Sequence, residues 1–365
     1  RAGRGILLDS PRDYQVFQRD HRNQAKVRVS GKLGDAARKA DSLQVRYGMA
    51  NKPGVWQELK SSLKDGMFEA VLEMPAGGWY VFSVRAMREG QVLATSHVEH
   101  LGVGEVFVVA GQSNSANHGE ERQRTRSKKV ATFDGTQWHL GHDPQPGASG
   151  DGGSFLPPLG DILAEKLKVP VGMVSCGVGA TSVREWLPSG IPFANPPTIE
   201  GRVRKRPDGQ WESRGDLYVL LRDRMKVLGP NGFRAVLWHQ GESDANQQDR
   251  TRTLPGQRYR EYLEKIIRES RKDTNWPAPW FVAQVSYHTP EDTGSPDIRA
   301  AQASLWKDRL ALEGPDSDAL RGEFRDGAGR GVHFSGKGLR EHAARWADKI
   351  IPWIEQRQGG PANAP

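Results

Sequence analysis

Cysteine is nearly absent from the chain, which has one, Cys176, among 365 residues. An internal disulfide is therefore excluded, and cysteine usage gives no information on the redox compartment. Cys176 ends an apolar run and has no adjacent basic residue that would lower the pKa of its thiol. This disfavours a cysteine nucleophile and favours a small buried side chain.

Long apolar segments are also missing. No stretch approaches the roughly 18 to 20 consecutive apolar residues of a membrane-spanning helix. The first residues, Arg-Ala-Gly-Arg-Gly, lack the apolar centre of a signal peptide. We therefore expect no membrane insertion, and we expect any export signal to have been removed already.

Neither sign of charge dominates strongly, because 52 basic and 44 acidic residues give a formal net charge of +8. Basic clusters at residues 122–129 and 202–206 could attract acidic polymers, but solvated loops are the simpler interpretation. A helix-turn-helix pattern, zinc-ligand spacing and stacking aromatics beside the basic residues are all absent. We therefore expect no nucleic-acid partner, and the sequence predicts no particular protein partner.

The length and the 36% hydrophobic content are sufficient for two domains. Residues 1–102 contain alternating apolar and polar segments, typical of strands with one solvated face, separated by turns rich in glycine and proline. These segments are residues 25–30, 42–47, 67–73 and 79–85. Their spacing predicts a small antiparallel β-sandwich domain.

A different pattern begins at Glu105, where short apolar runs alternate with amphipathic helical segments. The alternation predicts an α/β domain over residues 103–358, with a parallel sheet flanked by helices, and then a flexible tail over residues 359–365. A last helix is expected after Ser335, its N-cap. The apolar runs are residues 106–110, 169–176, 235–238 and 280–285, and the other helical segments are residues 159–167, 217–225 and 259–267.

Polar residues follow three of the predicted strands. Ligands of open parallel sheets bind beyond the carboxyl ends of the strands, so we expect these residues to share one site. Ser113 supplies a hydroxyl nucleophile, while Gly179 and Gln240 supply hydrogen-bond donors for the oxyanion that serine attack creates. The three segments are Gly111-Gln-Ser-Asn114, Gly177-Val-Gly-Ala-Thr181 and His239-Gln-Gly-Glu-Ser-Asp244.

A serine nucleophile needs a base, and His333 is the candidate because it lies in the glycine-rich loop 327–335 before the last predicted helix. His118, His239 and His288 also lie near strand ends, and we interpret them as pocket lining or structure. The chain has no Gly-x-Ser-x-Gly elbow, Walker A loop, dinucleotide Gly-x-Gly-x-x-Gly unit or His-Glu-x-x-His metal site. The predicted chemistry needs no metal and no organic cofactor.

These segments resemble the sequence blocks of the SGNH hydrolases, in the form found in sialate O-acetylesterases and related acetylxylan esterases. Val108-Val-Ala-Gly-Gln-Ser-Asn114 resembles the first block, and Val332-His-Phe-Ser335 resembles the terminal histidine block. Gly179-Ala-Thr-Ser-Val-Arg-Glu-Trp186 and Trp238-His-Gln-Gly-Glu-Ser-Asp244 resemble the two blocks between them. Residues 10–19 resemble the strand that opens the β-domain of sialate esterases, so the resemblance covers nearly the whole chain.

The resemblance implies a flavodoxin-like catalytic domain in a secreted or periplasmic esterase. Such an enzyme removes O-acetyl groups from acetylated polysaccharide or sialic acid-type substrates through an acetyl-serine intermediate. The resemblance also implies Ser113 as nucleophile, His333 as general base, and the amides of Ser113 and Gly179 with the Gln240 side chain as oxyanion donors. Candidate substrate contacts are Asn114, Trp186 and Trp238, although tryptophan after a strand is often part of the core.

One position departs from the family pattern, because Arg330 stands where these enzymes usually carry an aspartate, three residues before His333. Glu242 is our first candidate for the missing acid, Asp326 the second, and a serine and histidine pair without an acid the third. An arginine beside the histidine should disfavour the imidazolium, so we expect a carboxylate to offset it. A carbohydrate-binding pseudoenzyme and an esterase for other short-chain esters are the alternative functions.

Overall fold

The computed structural model describes residues 5–358, so the predicted tail at 359–365 lies outside the described residues. None of the helices in this range is long and apolar enough to cross a membrane. The strands are β1 (Ile6–Ser10), β2 (Gln15–Gln18), β3 (Gln24–Leu33), β4 (Ser42–Gly48), β5 (Gln57–Glu58), β6 (Ser62–Lys64), β7 (Met67–Pro75), β8 (Gly77–Arg88), β9 (Gln91–Gly111), β10 (Val130–Phe133), β11 (Trp138–Leu140), β12 (Val171–Ser175), β13 (Val203–Lys205), β14 (Trp211–Ser213), β15 (Ala235–His239), β16 (Trp280–Gln284) and β17 (Leu312–Asp316). The helices are α1 (Leu156–Leu167), α2 (Asp216–Leu228), α3 (Gly256–Asp273), α4 (Pro296–Lys307) and α6 (Gly336–Glu355), and the segment α5 (Asp326–Gly329) is a short turn in which residues 327–329 have positive φ.

The first part of the chain forms two sheets around one apolar core. β1, β3, β7 and β6 make one antiparallel sheet, and β5, β4, β8 and the first part of β9 pair in the other. In β3, Val27 and Val29 are fully buried while Arg28 between them is exposed. Val45 and Val84 from the other sheet join the same core. Burial of each such side chain contributes roughly 1.5–3 kcal/mol relative to leaving it exposed.

One long strand, β9, belongs to both parts of the chain. Its first part pairs with β8 and β2, and its residues from Glu105 onward pair with β12 and β15. The predicted domain boundary between residues 102 and 103 therefore falls inside a continuous strand. At this junction the buried Glu105 carboxylate accepts hydrogen bonds from Arg19 Nε and Arg234 Nη2, both at 2.7 Å. These bonds compensate for the water that the charge loses on burial.

The mixed α/β fold predicted from the alternating pattern is confirmed. The strand order of the second part is β11-β10-β12-β9-β15-β16-β17, and all neighbours are parallel except β10 and β11. α1 and α6 pack on one face of the sheet, and α2, α3 and α4 pack on the other. Each predicted helical segment lies in a helix, and Ser335 caps α6 by accepting a hydrogen bond from the Gly338 N–H at 3.0 Å.

The sequence patterns did not predict β10, β17 and α4. β10 has only four residues, and β17 contains Gly314 and Pro315, which are rare within strands. A start signal for α4 is present in Ser295-Pro296, because serine is a good N-cap and proline suits the first helical turn. The Ser295 hydroxyl accepts from the Ile298 N–H at 3.2 Å, as an N-cap does.

Two histidines, His239 of β15 and His342 of α6, are fully buried with their ring centroids 4.9 Å apart. Burial is the main reason that the pKa of His239 falls to about 3, and the pKa of His342 is lowered for the same reason. The unfolded chain binds these protons near the ordinary histidine pKa of 6.5, whereas the folded chain does not. The contribution of the two neutral histidines to the free energy of unfolding is therefore fully present above that pH, and it is lost progressively as the pH falls below it.

Replacement of His239 by leucine is expected to reduce this acid sensitivity. Between about pH 7.5 and pH 5, His239 alone removes about 2 kcal/mol from the free energy of unfolding. Neither ring nitrogen has a hydrogen-bond partner among the described residues, so leucine forfeits no bond there, and any cavity costs the same at both pH values. Chemical unfolding of wild type and His239→Leu at the two pH values measures the difference. An equal loss in both proteins would contradict the prediction.

Candidate active site

A cavity of about 850 Å³ opens at the carboxyl edge of the parallel sheet, and we term it the cleft. Ser113 follows β9, Gly179 follows β12 and Glu242 follows β15, and all three line the cleft. His333 lines it from the loop before α6. The structure therefore brings these four predicted site residues together. The other lining residues include Gln112, His118, Ser149, Val178, Arg202, Ser243, His288, Thr289, Arg330 and Val332.

Ser113 begins a short 3-10 turn, Ser113–Ser115, directly after β9. The first N–H groups of a helical turn lack partners within the turn, which leaves the amide of Ser113 suited to donate to a ligand. Gly111, just before the turn, has a φ of +134°, and a Cβ there would collide with the carbonyl oxygen of His239. The close approach of β9 and β15 thus requires glycine and fixes the position of Ser113.

His333 lies opposite Asp326 across a narrow hairpin. Arg325 and Phe334 form an antiparallel bridge, and the N–H of Asp326 donates to the carbonyl of His333 at 2.9 Å. Directly opposed side chains lie on the same face of such a pair, and Asp326 Oδ2 is 3.7 Å from His333 Nδ1. Residues 327–329, which turn the chain, all have positive φ. The structure therefore brings Asp326, the second candidate acid, next to His333.

The imidazole of His333 is held neutral. Burial is the main cause of its lowered pKa, and the guanidinium of Arg325 lowers it further. Burial also raises the pKa of Asp326. The two groups lie within the distance of an ion pair, and a strong pair would raise the pKa of His333 and lower the pKa of Asp326. The observed shifts are opposite, so at 3.7 Å the effect of burial on both pKa values is larger than the effect of the pair. A neutral imidazole is the form that accepts a proton, as a general base must.

Glu242, the first candidate acid, is hydrogen-bonded to Asn114. Its Oε2 accepts from Asn114 Nδ2 at 3.0 Å, and its Oε1 is buried without a partner within residues 5–358. Burial raises the pKa of Glu242 to about 7. The backbone carbonyl of Glu242 accepts from His288 Nε2 at 2.6 Å, while His288 Nδ1 lies 2.6 Å from Asp292. These contacts hold Glu242 in the wall of the cleft.

Arg330 forms a surface ion pair and has less influence on His333 than the sequence suggests. Its Nη2 lies 2.7 Å from Glu291 Oε1, and both side chains are about two-thirds exposed. The cation that lowers the pKa of His333 is Arg325. Arg325 is buried, and its guanidinium donates to three backbone carbonyls of the surrounding loops. The departure at residue 330 therefore leaves the histidine loop intact.

The structure does not bring the Gln240 side chain to the cleft, contrary to its predicted donor role. The side chain is fully buried, and its Nε2 lies 2.8 Å from Asp244 Oδ2 and 2.9 Å from the Thr181 carbonyl. A third acceptor, Gln112 Oε1, is 3.2 Å away. An amide nitrogen carries two protons, and these contacts use both. Gln240 therefore ties the loop after β12 to the loop after β15.

The predicted substrate contacts lie behind the wall of the cleft. Trp186 and Trp238 are fully buried in the core, with ring centroids 5.5 Å apart, so the core interpretation of these tryptophans applies. Asn114 is only 4% exposed, and its amide donates a hydrogen bond to Glu242. Cys176 is also buried, which raises the pKa of its thiol to about 12 and leaves it inert.

A second hydroxyl, Ser149, reaches the cleft and was not predicted. Its Oγ accepts a hydrogen bond from the Gly179 N–H at 2.8 Å and lies 2.8 Å from His118 Nε2. The ring of His118 stacks on that of His333 with centroids 5.5 Å apart. The sequence signal for Ser149 is weak, because it consists only of a glycine-rich stretch at residues 147–153.

Fold and site together define the class of protein. A serine, a neutral histidine and a carboxylate gather at the carboxyl edge of a mainly parallel sheet. Such a constellation recurs on unrelated folds and is recognised by its geometry. The class is a hydrolase built on a mixed α/β fold.

The family follows from a sequence comparison. The model of the family described as "Carbohydrate esterase, sialic acid-specific acetylesterase" matches residues 103–352, which is more than half of the chain. The chain therefore belongs to this family of carbohydrate esterases, and the resemblance found in the sequence blocks is confirmed. No curated protein matches the chain.

Similar solved structures include a carbohydrate acetylesterase from Xanthomonas citri, with 17% identity and a TM-score of 0.54 over 94% of this chain and 73% of that one. A protein from Arabidopsis thaliana has 17% identity and a TM-score of 0.46 over 68% of this chain and 98% of that one. A family two carbohydrate esterase from Clostridium thermocellum, solved with cellohexaose, has 13% identity and a TM-score of 0.39 over 96% and 99%. The first of these likenesses shows a shared fold.

Proposed function

We propose that the chain is a serine esterase that hydrolyses O-acetyl groups of carbohydrates through an acetyl-serine intermediate. The observation that carries this proposal is the placement of Ser113 and His333 in one cleft, with the Asp326 carboxylate 3.7 Å from His333. Membership of the carbohydrate esterase family supports the substrate class. Acetylated polysaccharide and O-acetylated sialic acid are the candidate substrates.

The proposed reaction has two steps. Ser113 Oγ attacks the acetyl carbonyl carbon while His333 takes its proton, and the amide of Ser113 donates to the oxyanion. The protonated His333 then gives the proton to the sugar oxygen as the ester bond breaks. In the second step His333 takes a proton from water, which attacks the acetyl carbon of the acetyl-serine. The bond between that carbon and Ser113 Oγ then breaks, and the protonated His333 returns its proton to Oγ, which releases acetate and the free Ser113 hydroxyl.

Asp326 is the proposed third member of the triad. Because its carboxylate faces Nδ1 of His333, the other ring nitrogen, Nε2, is left to exchange the proton with Ser113. The carboxylate orients the ring and stabilises the imidazolium that forms during each step. The 3.7 Å separation suits a site without substrate, because catalytic hydrogen bonds are often long in the free enzyme.

We propose that residues 103–358 are a catalytic domain with the flavodoxin-like SGNH architecture, and that residues 1–102 are an accessory β-sandwich. The parallel strand order around β9 and the separate apolar core of the first part support this division. We further propose that the protein acts outside the cytoplasm, where acetylated polysaccharides occur.

Acetate release tests the proposed function. Wild type is expected to release acetate from acetylated xylan or O-acetylated sialosides, and to prefer 4-nitrophenyl acetate over the butyrate and octanoate esters by about tenfold or more. Ser113→Ala, assayed in parallel, gives the background rate. A folded wild type that releases no acetate would indicate the carbohydrate-binding pseudoenzyme instead. Rates that rise with acyl length would indicate an esterase for other esters.

A further inference from the structure

Ser149 holds a position in the cleft that the proposed reaction does not yet use. We infer that its hydroxyl is a further oxyanion donor of the esterase reaction, in the role that the sequence assigns to the buried Gln240. The contacts that carry the inference are the Gly179 N–H and His118 Nε2, each 2.8 Å from Ser149 Oγ. The inference rests on the proposed function, because an oxyanion forms only if Ser113 attacks an ester.

The proton of the Ser149 hydroxyl is the group that would reach the oxyanion. Burial lowers the pKa of His118, and the neighbouring His333 lowers it further, so the His118 ring is neutral and carries one N–H. With that proton on Nε2, Ser149 Oγ accepts from both His118 and Gly179, and both lone pairs are used. The O–H bond of Ser149 then points away from His118 and Gly179. A hydroxyl that accepts two hydrogen bonds is a stronger donor, because such bonds polarise one another.

The backbone holds Ser149 between two loops of the site. The Ser149 N–H donates to the carbonyl of Gly177, and the Ser149 carbonyl accepts from the N–H of Asn117, both at 3.0 Å. Gly177 belongs to the loop after β12, and Asn117 closely follows the turn that contains Ser113. A donor held in this way needs no reorganisation at the moment of reaction, which is the condition for strong oxyanion stabilisation.

Gly150 and Gly179 leave room for the side chains of Ser149 and His118. A Cβ at Gly150 would come within 2.9 Å of His118 Nε2, and a Cβ at Gly179 would lie 3.0 Å from the same atom. The N–H of Gly179 is directed at Ser149 Oγ. Gly179 therefore acts on the oxyanion through Ser149, and it is a positioning residue in this chain.

The test is a comparison of Ser149→Ala with Ser149→Thr, using 4-nitrophenyl acetate and acetylated xylan. For Ser149→Ala we expect kcat to fall on the order of a hundredfold or more with KM nearly unchanged, because an oxyanion donor acts mainly in the transition state. Ser149→Thr keeps a hydroxyl and is expected to recover most of the loss. Thermal unfolding of both variants checks that the fold is retained, and a purely structural role would change Tm without this split between kcat and KM.

Two results would overturn the inference. One is a folded Ser149→Ala with wild-type kcat. The other is complete loss of activity in Ser149→Ala together with a fluorophosphonate adduct on Ser149 of the wild type, which would make Ser149 the nucleophile. Ser113→Ala in the same assay separates the two proposals. If Ser113→Ala stays active, the proposed function fails and the inference fails with it. If Ser113→Ala is inactive while Ser149→Ala is fully active, only the inference fails.

Discussion

Replacement of Ser113 by alanine is expected to lower kcat for acetyl-ester hydrolysis by a factor of about 10⁶, because the loss of a serine nucleophile removes the covalent route altogether. The fold should persist, since Ser113 is placed by the backbone of a short turn after β9 and its side chain reaches the cleft. Acetate release at saturating substrate, with circular dichroism as a check on folding, measures the effect.

Ser115→Ala is the matched control for this prediction. Ser115 lies in the same turn, but its hydroxyl donates to the backbone carbonyl of Gln112 at 2.6 Å and is fully buried. Its removal is expected to cost about 1 kcal/mol of stability and to leave kcat within about tenfold of wild type. Similar losses in Ser113→Ala and Ser115→Ala would mean that the turn, and not the Ser113 hydroxyl, is what activity requires.

Asp326→Asn is expected to lower kcat by about 10⁴, the loss typical when the carboxylate that orients a catalytic histidine becomes an amide. Asparagine keeps the shape of the side chain opposite His333 but removes the charge that stabilises the imidazolium. For Glu242→Gln we expect a loss of less than about tenfold, because the glutamine carbonyl can still accept the hydrogen bond from Asn114. Measurement of kcat/KM for both variants across pH compares the two candidate acids.

Each outcome of that comparison assigns the acid differently. A large loss in Glu242→Gln with little change in Asp326→Asn would reverse our assignment and return Glu242 to the triad. Small losses in both would indicate that Ser113 and His333 act without a carboxylate. We expect kcat/KM of Asp326→Asn to stay low at every pH, because His333 then lacks the carboxylate that orients its ring.

Most of the parallel sheet could be predicted because its central strands, covered on both faces, are continuous apolar runs. The strand β17 could not, since Gly314 and Pro315 lack a strand pattern, and the strand is held by the pairing of Leu312, Glu313 and Asp316 with β16. The run of β9 through the predicted domain boundary also escaped prediction. Its alternating first part and the apolar run at residues 106–110 in its second part look like two different strands in the sequence.

The edge that carries Ser113, Gly179 and Glu242 could be predicted from strand ends, and His333 could be predicted from its loop before the last helix. The choice of Asp326 over Glu242 could not, because it depends on a hairpin whose turn at residues 327–329 takes left-handed backbone conformations. The directions of the side chains that follow the strands could not be predicted either. Whether an amide that follows a strand faces the cleft or the neighbouring loop is decided by tertiary packing, which the chain order does not reveal.

Peptide mapping after reaction with a fluorophosphonate tests directly whether Ser113 is the nucleophile of the cleft. We expect one adduct per chain, on Ser113, with loss of acetate release in proportion to labelling. We also expect no adduct in Ser113→Ala and slower labelling in His333→Ala, since the base activates the serine. An adduct on Ser149, or acetate release that survives complete labelling of Ser113, would show that Ser113 is not the nucleophile.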